Sequence, residues 1–308
     1  MGDDSDASTD ADADELPPVL WDREDEVAAL FDAAPGLLFC SDFDGTLTAI
    51  VDDPDAPEIR PDCADALRRL GSLDGVRVAL VSGRELADLR DRAGIEGVGY
   101  AGNHGLEMVL HEDHGDDLGE VWADVGADTD NDEADAPASS TAGSDDVTVH
   151  PVAAARMSDI ERVCELVRER LELDGLHVES KDVTATVHYR NVAGDPGEEV
   201  LETVESVVEE VAEGRLHVSE GKAIVEVGPA IPWDKGKAVD VFAADVPDDW
   251  LVVYVGDDTT DEHAFRSLDP TGLSIHVGED PETDARYRLR DPEDVEEFLK
   301  WVVDRLDV

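Results

Sequence analysis

The sequence predicts an α/β fold in which a doubly wound parallel sheet is interrupted by an inserted α+β domain. Three observations carry that expectation. Apolar runs without alternation at residues 37–40 (LLFC), 76–81 (VRVALV) and 251–255 (LVVYV) stop abruptly at Asp, Ser or Gly, as strands buried on both faces of a parallel sheet do. Helical spacing surrounds these runs, which is the alternation of strand and crossover helix that a parallel sheet requires. That rhythm breaks between residues 156 and 227, where helix, strand, strand occurs twice in an α+β unit of about seventy residues. The core is therefore read as Rossmann-like, with ligands expected beyond the carboxyl ends of its strands.

In chain order, residues 1–15 are poor in apolar side chains and dense in like charge, so a disordered acidic tail is expected over 1–18. Val19, Leu20, Val27, Leu30 and Phe31 fall at helical spacing and predict a lead-in helix over 19–33. After the strand at 37–40, a helix over 61–70 begins at Pro61, a residue suited to the first helical turn. The strand at 76–81 opens into a helix over 85–92. A short strand over 98–101 leads to the loop Gly102, Asn103, His104, Gly105 and a strand-like LEMVL. This first part of the core spans 19–110.

Residues 111–150 are acidic, rich in small polar residues and without periodicity, which predicts a flexible linker. The inserted domain is assigned to 151–228. It has helices over 156–171 and 198–212, two strands within 176–190 broken near Lys181 and Asp182, and two more within 216–227. The core resumes over 229–308 with a helix at 235–244, the strand at 251–255, a helix opened by GDDTTDEHAF, a strand at LSIHV and a terminal helix over 292–306.

With 78 acidic against 24 basic residues, the chain of 308 residues has a formal net charge of −54 and a pI near 4.1. Nucleic acid and anionic membranes are excluded as partners by repulsion. The acidity runs through every part of the chain, which suggests a halophilic source, since screening lengths shrink to about 3 Å near 1 M salt. Cys40, Cys63 and Cys164 have no paired spacing for zinc or a disulfide framework, which points to the reducing cytoplasm. The acidic N-terminus and the lack of any run of eighteen apolar residues indicate neither export nor membrane insertion.

Asp42 and Asp44 sit where the first strand ends, and residues two apart in an extended segment share a face. A calcium loop fails, because Gly45 falls at position four rather than six and a strand precedes it. Ser82 and Gly83 end the second strand where a helix opens, a place for an anion. Lys235 starts a helix against its macrodipole, a local cost that points to a functional reason. A nucleotide P-loop fails there, since Lys237 is followed by Ala238 and Ile231 occupies the place of the first glycine. With Asp257, Asp258 and Asp261 these groups can converge at the strand ends. Carboxylates without His or Cys make an oxygen-only site that suits magnesium, Mg2+.

DFDGTL, VSGR, the Lys-Gly of WDKGKAV and GDDTTDE resemble, in order and spacing, the four motifs of haloacid-dehalogenase (HAD) phosphatases. AGNHGLE, VESKDVTATVHYR and GKAIVEVGP are similar to accessory segments of trehalose-6-phosphate phosphatases within that superfamily. The resemblance implies that Asp42 is a nucleophile forming an aspartyl-phosphate, that Asp44 is the acid and base, and that Ser82 and Lys235 hold phosphate. It implies that Mg2+ is bound by Asp42, the Asp44 carbonyl and Asp257, with Asp261 close behind. It implies that Arg84, Asn103, His104, Glu179, Lys181, Arg190, Lys222 and Glu226 bind a sugar phosphate, gripped by the inserted domain as a cap. The partner is then a small-molecule sugar phosphate, with room for pairing with a trehalose-6-phosphate synthase. Sucrose 6-phosphate, glycosyl-3-phosphoglycerate and non-catalytic sugar-phosphate binding are the rival readings.

Overall fold

The computed structural model describes residues 16–49, 58–111, 147–221, 223–268, 270 and 272–307. Its larger sheet has eight strands in the order β12-β11-β10-β1-β2-β3-β4-β5. These are β1 (Leu37–Ser41), β2 (Val76–Val81), β3 (Gly99–Gly102), β4 (Glu107–Val109), β5 (Thr148–Val149), β10 (Leu251–Gly256), β11 (Leu273–Val277) and β12 (Tyr287–Leu289). From β12 to β3 all pairings are parallel, and β4 and β5 are added antiparallel.

Side chains of β1 alternate between two cores. Leu37 and Phe39 join a cluster with α1 (Glu24–Ala33), α2 (Pro61–Gly71), α3 (Leu86–Ala93) and a C-terminal helix at Pro292–Leu306. Leu38 and Cys40 join the opposite cluster, packed by helices at Lys235–Ala244 and Glu262–Leu268. Burial on both faces is why LLFC shows no polar alternation. The chain leaves β1 for β2 on one side and returns to β10 on the other, so β1 is the switch point where a doubly wound sheet opens its crevice.

The second sheet has four antiparallel strands in the order β6-β7-β9-β8. They are β6 (His177–Ser180), β7 (Ala185–His188), β8 (Leu216–Gly221) and β9 (Ile224–Pro229). After the single turn α4 (Pro151–Ala154), α5 (Met157–Arg170) and α6 (Gly197–Ala212) cover its apolar face through Val163, Val167, Val204 and Val207 against Val187, Val225 and Val227. The remaining helices are α7 (Lys235–Ala244), α8 (Glu262–Leu268) and α9 (Pro292–Leu306). The α/β core with an inserted α+β cap is the fold the sequence predicts. No helix among the described residues is long and apolar enough to cross a membrane.

Several expectations differ from the structure. The lead-in helix divides into a 3-10 turn at Leu20–Arg23 and α1. At the end of the expected tail, the Pro18 carbonyl accepts from the Arg288 amide at 3.0 Å, extending the β12 edge; residues 1–15 lie outside the described residues. Residues 112–146 of the expected linker also lie outside them. The ends of that linker belong to the core: His111 donates through Nε2 to the Val78 carbonyl at 3.0 Å, and β5 pairs with β4. At two residues β5 is too short to show a period, and the three-residue β12 was missed for the same reason.

Gly102 closes β3 with an ordinary φ of −96°, yet a Cβ there would lie 2.5 Å from the Leu86 amide nitrogen. That close approach brings the Asn103–Gly105 turn over the end of β2. Gly102→Ala is expected to destabilise the protein by about 1–3 kcal/mol through overpacking. Gly94→Ala, where the constraint is a positive φ in open space, should cost about 1 kcal/mol. Urea midpoints check both, and an equal cost would show that the close approach is relieved elsewhere.

Candidate active site

Register brings the site together. Ser41 of β1 lies opposite Val255 of β10 and Leu80 of β2, so the three strands end at one level. The Asp42 amide then donates to the Val255 carbonyl at 2.8 Å, and Ser82 N to the Ala101 carbonyl at 2.9 Å. Each loop is thus fixed by the strand beside it.

Lys235, 2% exposed, is the centre of the cluster. Its Nζ lies 2.8 Å from Asp261 Oδ1, 3.0 Å from Asp42 Oδ1 and 3.7 Å from Asp258 Oδ1. Burial opposes its charge, but Asp261, Asp42 and Asp258 outweigh that and hold the ammonium well above the usual lysine range. At the head of α7, Asp234 caps the helix by accepting from the Lys237 amide at 3.1 Å. That leaves Lys235 to turn inward.

One cation does not neutralise the carboxylates around it. Burial, then the charges of Asp261, Asp258 and Asp257, push the Asp42 carboxyl well up, with only Lys235 opposing. Burial and the neighbouring Asp261 and Asp258 raise Asp257 to about 7. Gly45, at φ +73°, lets the aspartate loop fold against Asp257, since a Cβ there would lie 2.1 Å from its Oδ2.

Oxygens of Asp42, Asp257 and Asp261 lie within 4.8 Å of one another, an all-oxygen donor set that fits a hard divalent cation. Asp261 differs from the other two. Its Oδ1 accepts from Lys235 and from the Tyr254 hydroxyl at 2.6 Å, and its Oδ2 from the amides of Asp257 and Asp258, both at 3.0 Å. All four lone-pair directions are engaged, so its carboxylate shapes the loop. Among the described residues Asp257 accepts only from Thr46 Oγ1, at 3.2 Å, and keeps capacity for a ligand.

The Asp44 carboxylate accepts from Nε and Nη2 of Arg84, with two contacts of 2.7 Å. Arg84 also donates to Asp88 at 2.8 Å, which anchors it to α3. Ser82 is buried beside it and accepts from the Arg84 amide at 3.2 Å.

From Lys235 a cavity of about 270 Å³ runs up to the cap. Opposed residues in the four-stranded sheet form rows on its polar face: His217 and Gly228 in the row nearest the core, then Glu179, Thr186, Glu226 and Ser219, then His177, His188, Ile224 and Gly221. Of the expected substrate residues, Asn103, His104, Lys181 and Glu226 line the cavity. Burial and the Lys235 charge lower His104 to about 3, so it is a neutral ring. Gly83 is needed beside it, because a Cβ would lie 2.7 Å from its Cε1. Asn103 joins core to cap: its amide donates to Glu107 at 2.6 Å and its carbonyl oxygen accepts from Thr184 at 2.7 Å.

The other expected substrate residues are not brought to this cavity. Arg84 is spent on Asp44 and Asp88. Glu179 is turned to His188, 2.9 Å away, and Arg190 follows the far end of β7. Lys222 lies outside the described residues. Sequence reasoning missed Tyr254, His217, Ser219 and Trp233, the last three of which line the cavity. The alternation of His217, Val218 and Ser219 was the available signal for two of them.

Tyr254→Phe keeps the ring volume and removes one donor from Asp261. Stability to urea is expected to fall by about 1–3 kcal/mol, the cost of an unsatisfied buried acceptor. An unchanged midpoint would show that Lys235 and the two amides suffice.

A family model described as trehalose-phosphatase matches residues 40–293. A trehalose-phosphate phosphatase of Mycobacterium marinum is 33% identical over 283 residues, covering 88% of this chain and 62% of that relative. A Mycobacterium tuberculosis protein described as an uncharacterized glycosyl hydrolase is 37% identical over 268 residues, covering 84% of this chain and 18% of its own length. The chain thus spans less than two thirds of these relatives. The C-terminal domain of the C. albicans trehalose-6-phosphate phosphatase superposes with a TM-score of 0.66 at 24% identity, covering 94% of this chain and 99% of that one, a likeness of fold. Because the family model takes in most of the chain and every residue of the Lys235 cluster, the chain belongs to the trehalose-phosphatase family.

Proposed function

We propose that the chain is a magnesium-dependent phosphatase that hydrolyses trehalose 6-phosphate through an aspartyl-phosphate at Asp42. The observation that carries this reading is the Asp42 carboxylate, 3.0 Å from the Lys235 ammonium at the sheet's switch point and at the foot of a cavity roofed by the polar face of the cap. Asp42 attacks phosphorus, and the bond from phosphorus to the sugar oxygen breaks. Asp44 gives its proton to that oxygen, then takes one from the water that attacks phospho-Asp42. Lys235 and Ser82 hold the non-bridging oxygens, and their positions are fixed before substrate arrives.

Arg84 orients the Asp44 carboxylate, so the two aspartates divide the work by their partners, one on an ammonium and one on a guanidinium. Mg2+ held by Asp42, Asp257 and the Asp44 main-chain carbonyl would offset the charge of the phosphate as it meets Asp42. Asp261 and Tyr254 keep the loop that carries Asp257 in shape. The cap excludes water and holds the sugar, and Asn103 and Thr184 join it to the core in the closed form.

Asp42→Asn is nearly isosteric and cannot attack phosphorus. Its kcat should fall roughly 10³-fold or more with the urea midpoint retained. Substantial turnover would rule out the nucleophile. Treatment with a chelator should abolish phosphate release from trehalose 6-phosphate and added Mg2+ should restore it, with Asp257→Ala requiring more metal. Full turnover in metal-free buffer would end the proposal for the site.

A further inference from the structure

Glu107 is a buried carboxylate outside the Lys235 cluster, and it takes no part in the steps proposed above. It lies on β4 directly opposite Gly102 of β3, so its side chain runs over the face that Gly102 leaves bare. There it accepts from the Asn103 side-chain amide at 2.6 Å and from the main-chain amide of Leu86, the first residue of α3. We propose that Glu107 is a positioning residue for cap closure, which holds the Asn103 amide in the one orientation that receives Thr184 and ties it to the start of α3. The inference rests on the phosphatase reading above and adds a residue to its machinery.

The orientation follows from the donors and acceptors. An ionised carboxylate only accepts, so the Nδ2 end of Asn103 must face Glu107 and the Oδ1 end faces the cap. Oδ1 accepts from the Thr184 hydroxyl at 2.7 Å, and Nδ2 donates to the Lys181 carbonyl at 3.4 Å. Asn103, 1% exposed, is thereby committed to the junction at both ends of its amide. Burial raises the Glu107 carboxyl from its ordinary range, and the donors from Asn103 and Leu86 act against that rise. The Leu86 amide is one of the donors that a helix start leaves without an intrahelical partner, and Glu85 gives α3 no side-chain cap.

The turn that Glu107 steadies is a strained one. Asn103 and His104 have φ of +48° and +59°, left-handed values that a chain keeps only where its surroundings impose them. The Arg84 carbonyl accepts from the Asn103 amide at 2.7 Å, and the Ser82 carbonyl from the His104 amide at 2.9 Å. The same loop receives the cap, since Lys181 Nζ donates to the Gly83 carbonyl at 3.3 Å. With one side chain, Glu107 thus holds both the end of the loop that carries Ser82 and Arg84 and the turn on which the cap rests.

Phosphate release from trehalose 6-phosphate and p-nitrophenyl phosphate is compared for the wild type, Glu107→Gln, Thr184→Val and the double variant, and hydrogen exchange of residues 181–184 is measured on each protein without substrate. Glutamine keeps the shape of Glu107 but replaces one acceptor oxygen by an NH2 group, so Asn103 loses its fixed orientation. For trehalose 6-phosphate, kcat/KM is expected to fall about tenfold in either single variant and again about tenfold, not about a hundredfold, in the double, because both changes break one relay. Turnover of p-nitrophenyl phosphate by Glu107→Gln should stay within about twofold, since no sugar bridges core and cap. Exchange at residues 181–184 should rise in Glu107→Gln and Thr184→Val alike, while β1 and β2 keep wild-type protection. If Glu107→Gln does not fold, Glu107→Asp, which keeps the charge and shortens the reach, takes its place with the same expected losses. Additive losses in the double variant, equal losses of Glu107→Gln on both esters, or unchanged kinetics of either single variant with trehalose 6-phosphate would each overturn the proposal. If the wild type hydrolyses neither ester, the phosphatase reading fails; the exchange then decides the role of Glu107, which is overturned if residues 181–184 exchange alike in the wild type and Glu107→Gln.

Discussion

The site depends on one buried ammonium among carboxylates that repel one another. Lys235 meets Asp42, Asp258 and Asp261 within 3.7 Å, and its placement explains much of the local sequence. A lysine opening a helix runs against the macrodipole, so Asp234 caps α7 while the side chain turns into the crevice. Gly256 leaves room for Asp261, since a Cβ there would lie 2.3 Å from its Cγ. Tyr254 and two main-chain amides complete the Asp261 carboxylate. Asp42 and Asp257 are left with raised proton affinity, the mark of crowded negative charge that favours a cation between them.

The cap builds its two faces by simple alternation. Valines on one face of its sheet bury against α5 and α6, and the polar residues between them are turned to the other face. Polar side chains then follow one another along that face, His217 in the row nearest the core and Glu226 with Ser219 in the next. Asn103 couples this surface to the core, because Glu107 orients its amide and Thr184 donates to its carbonyl oxygen.

Much of this was legible in the sequence because strong periodic signals survive folding. LLFC, VRVALV and LVVYV became β1, β2 and β10, and the helices over 235–244 and 292–306 carry the boundaries their spacing predicts. Charge pattern and motif order singled out Asp42, Lys235 and Asp257, and the fold brings the three into one cluster. What was missed depended on three-dimensional accounting. Residue type alone cannot say that Arg84 is consumed by Asp44 or that Asp261 has no lone pair left. Strand direction decides that Arg190 trails away from the cavity, and short strands such as β5 and β12 leave no period to detect. His217 and Ser219 stood in an alternating strand whose polar face could be assigned only once the register was known.

The central claim is that Asp42 forms a covalent bond to phosphorus. The most direct measurement is rapid quenching of the enzyme during turnover of trehalose 6-phosphate, followed by borohydride reduction and peptide mass spectrometry. An acyl-phosphate at Asp42 would be reduced to homoserine at that position alone, and its yield should follow the steady-state occupancy of the intermediate. Reduction at Asp44 or at another carboxylate, or none under conditions that give full phosphate release, would contradict the account.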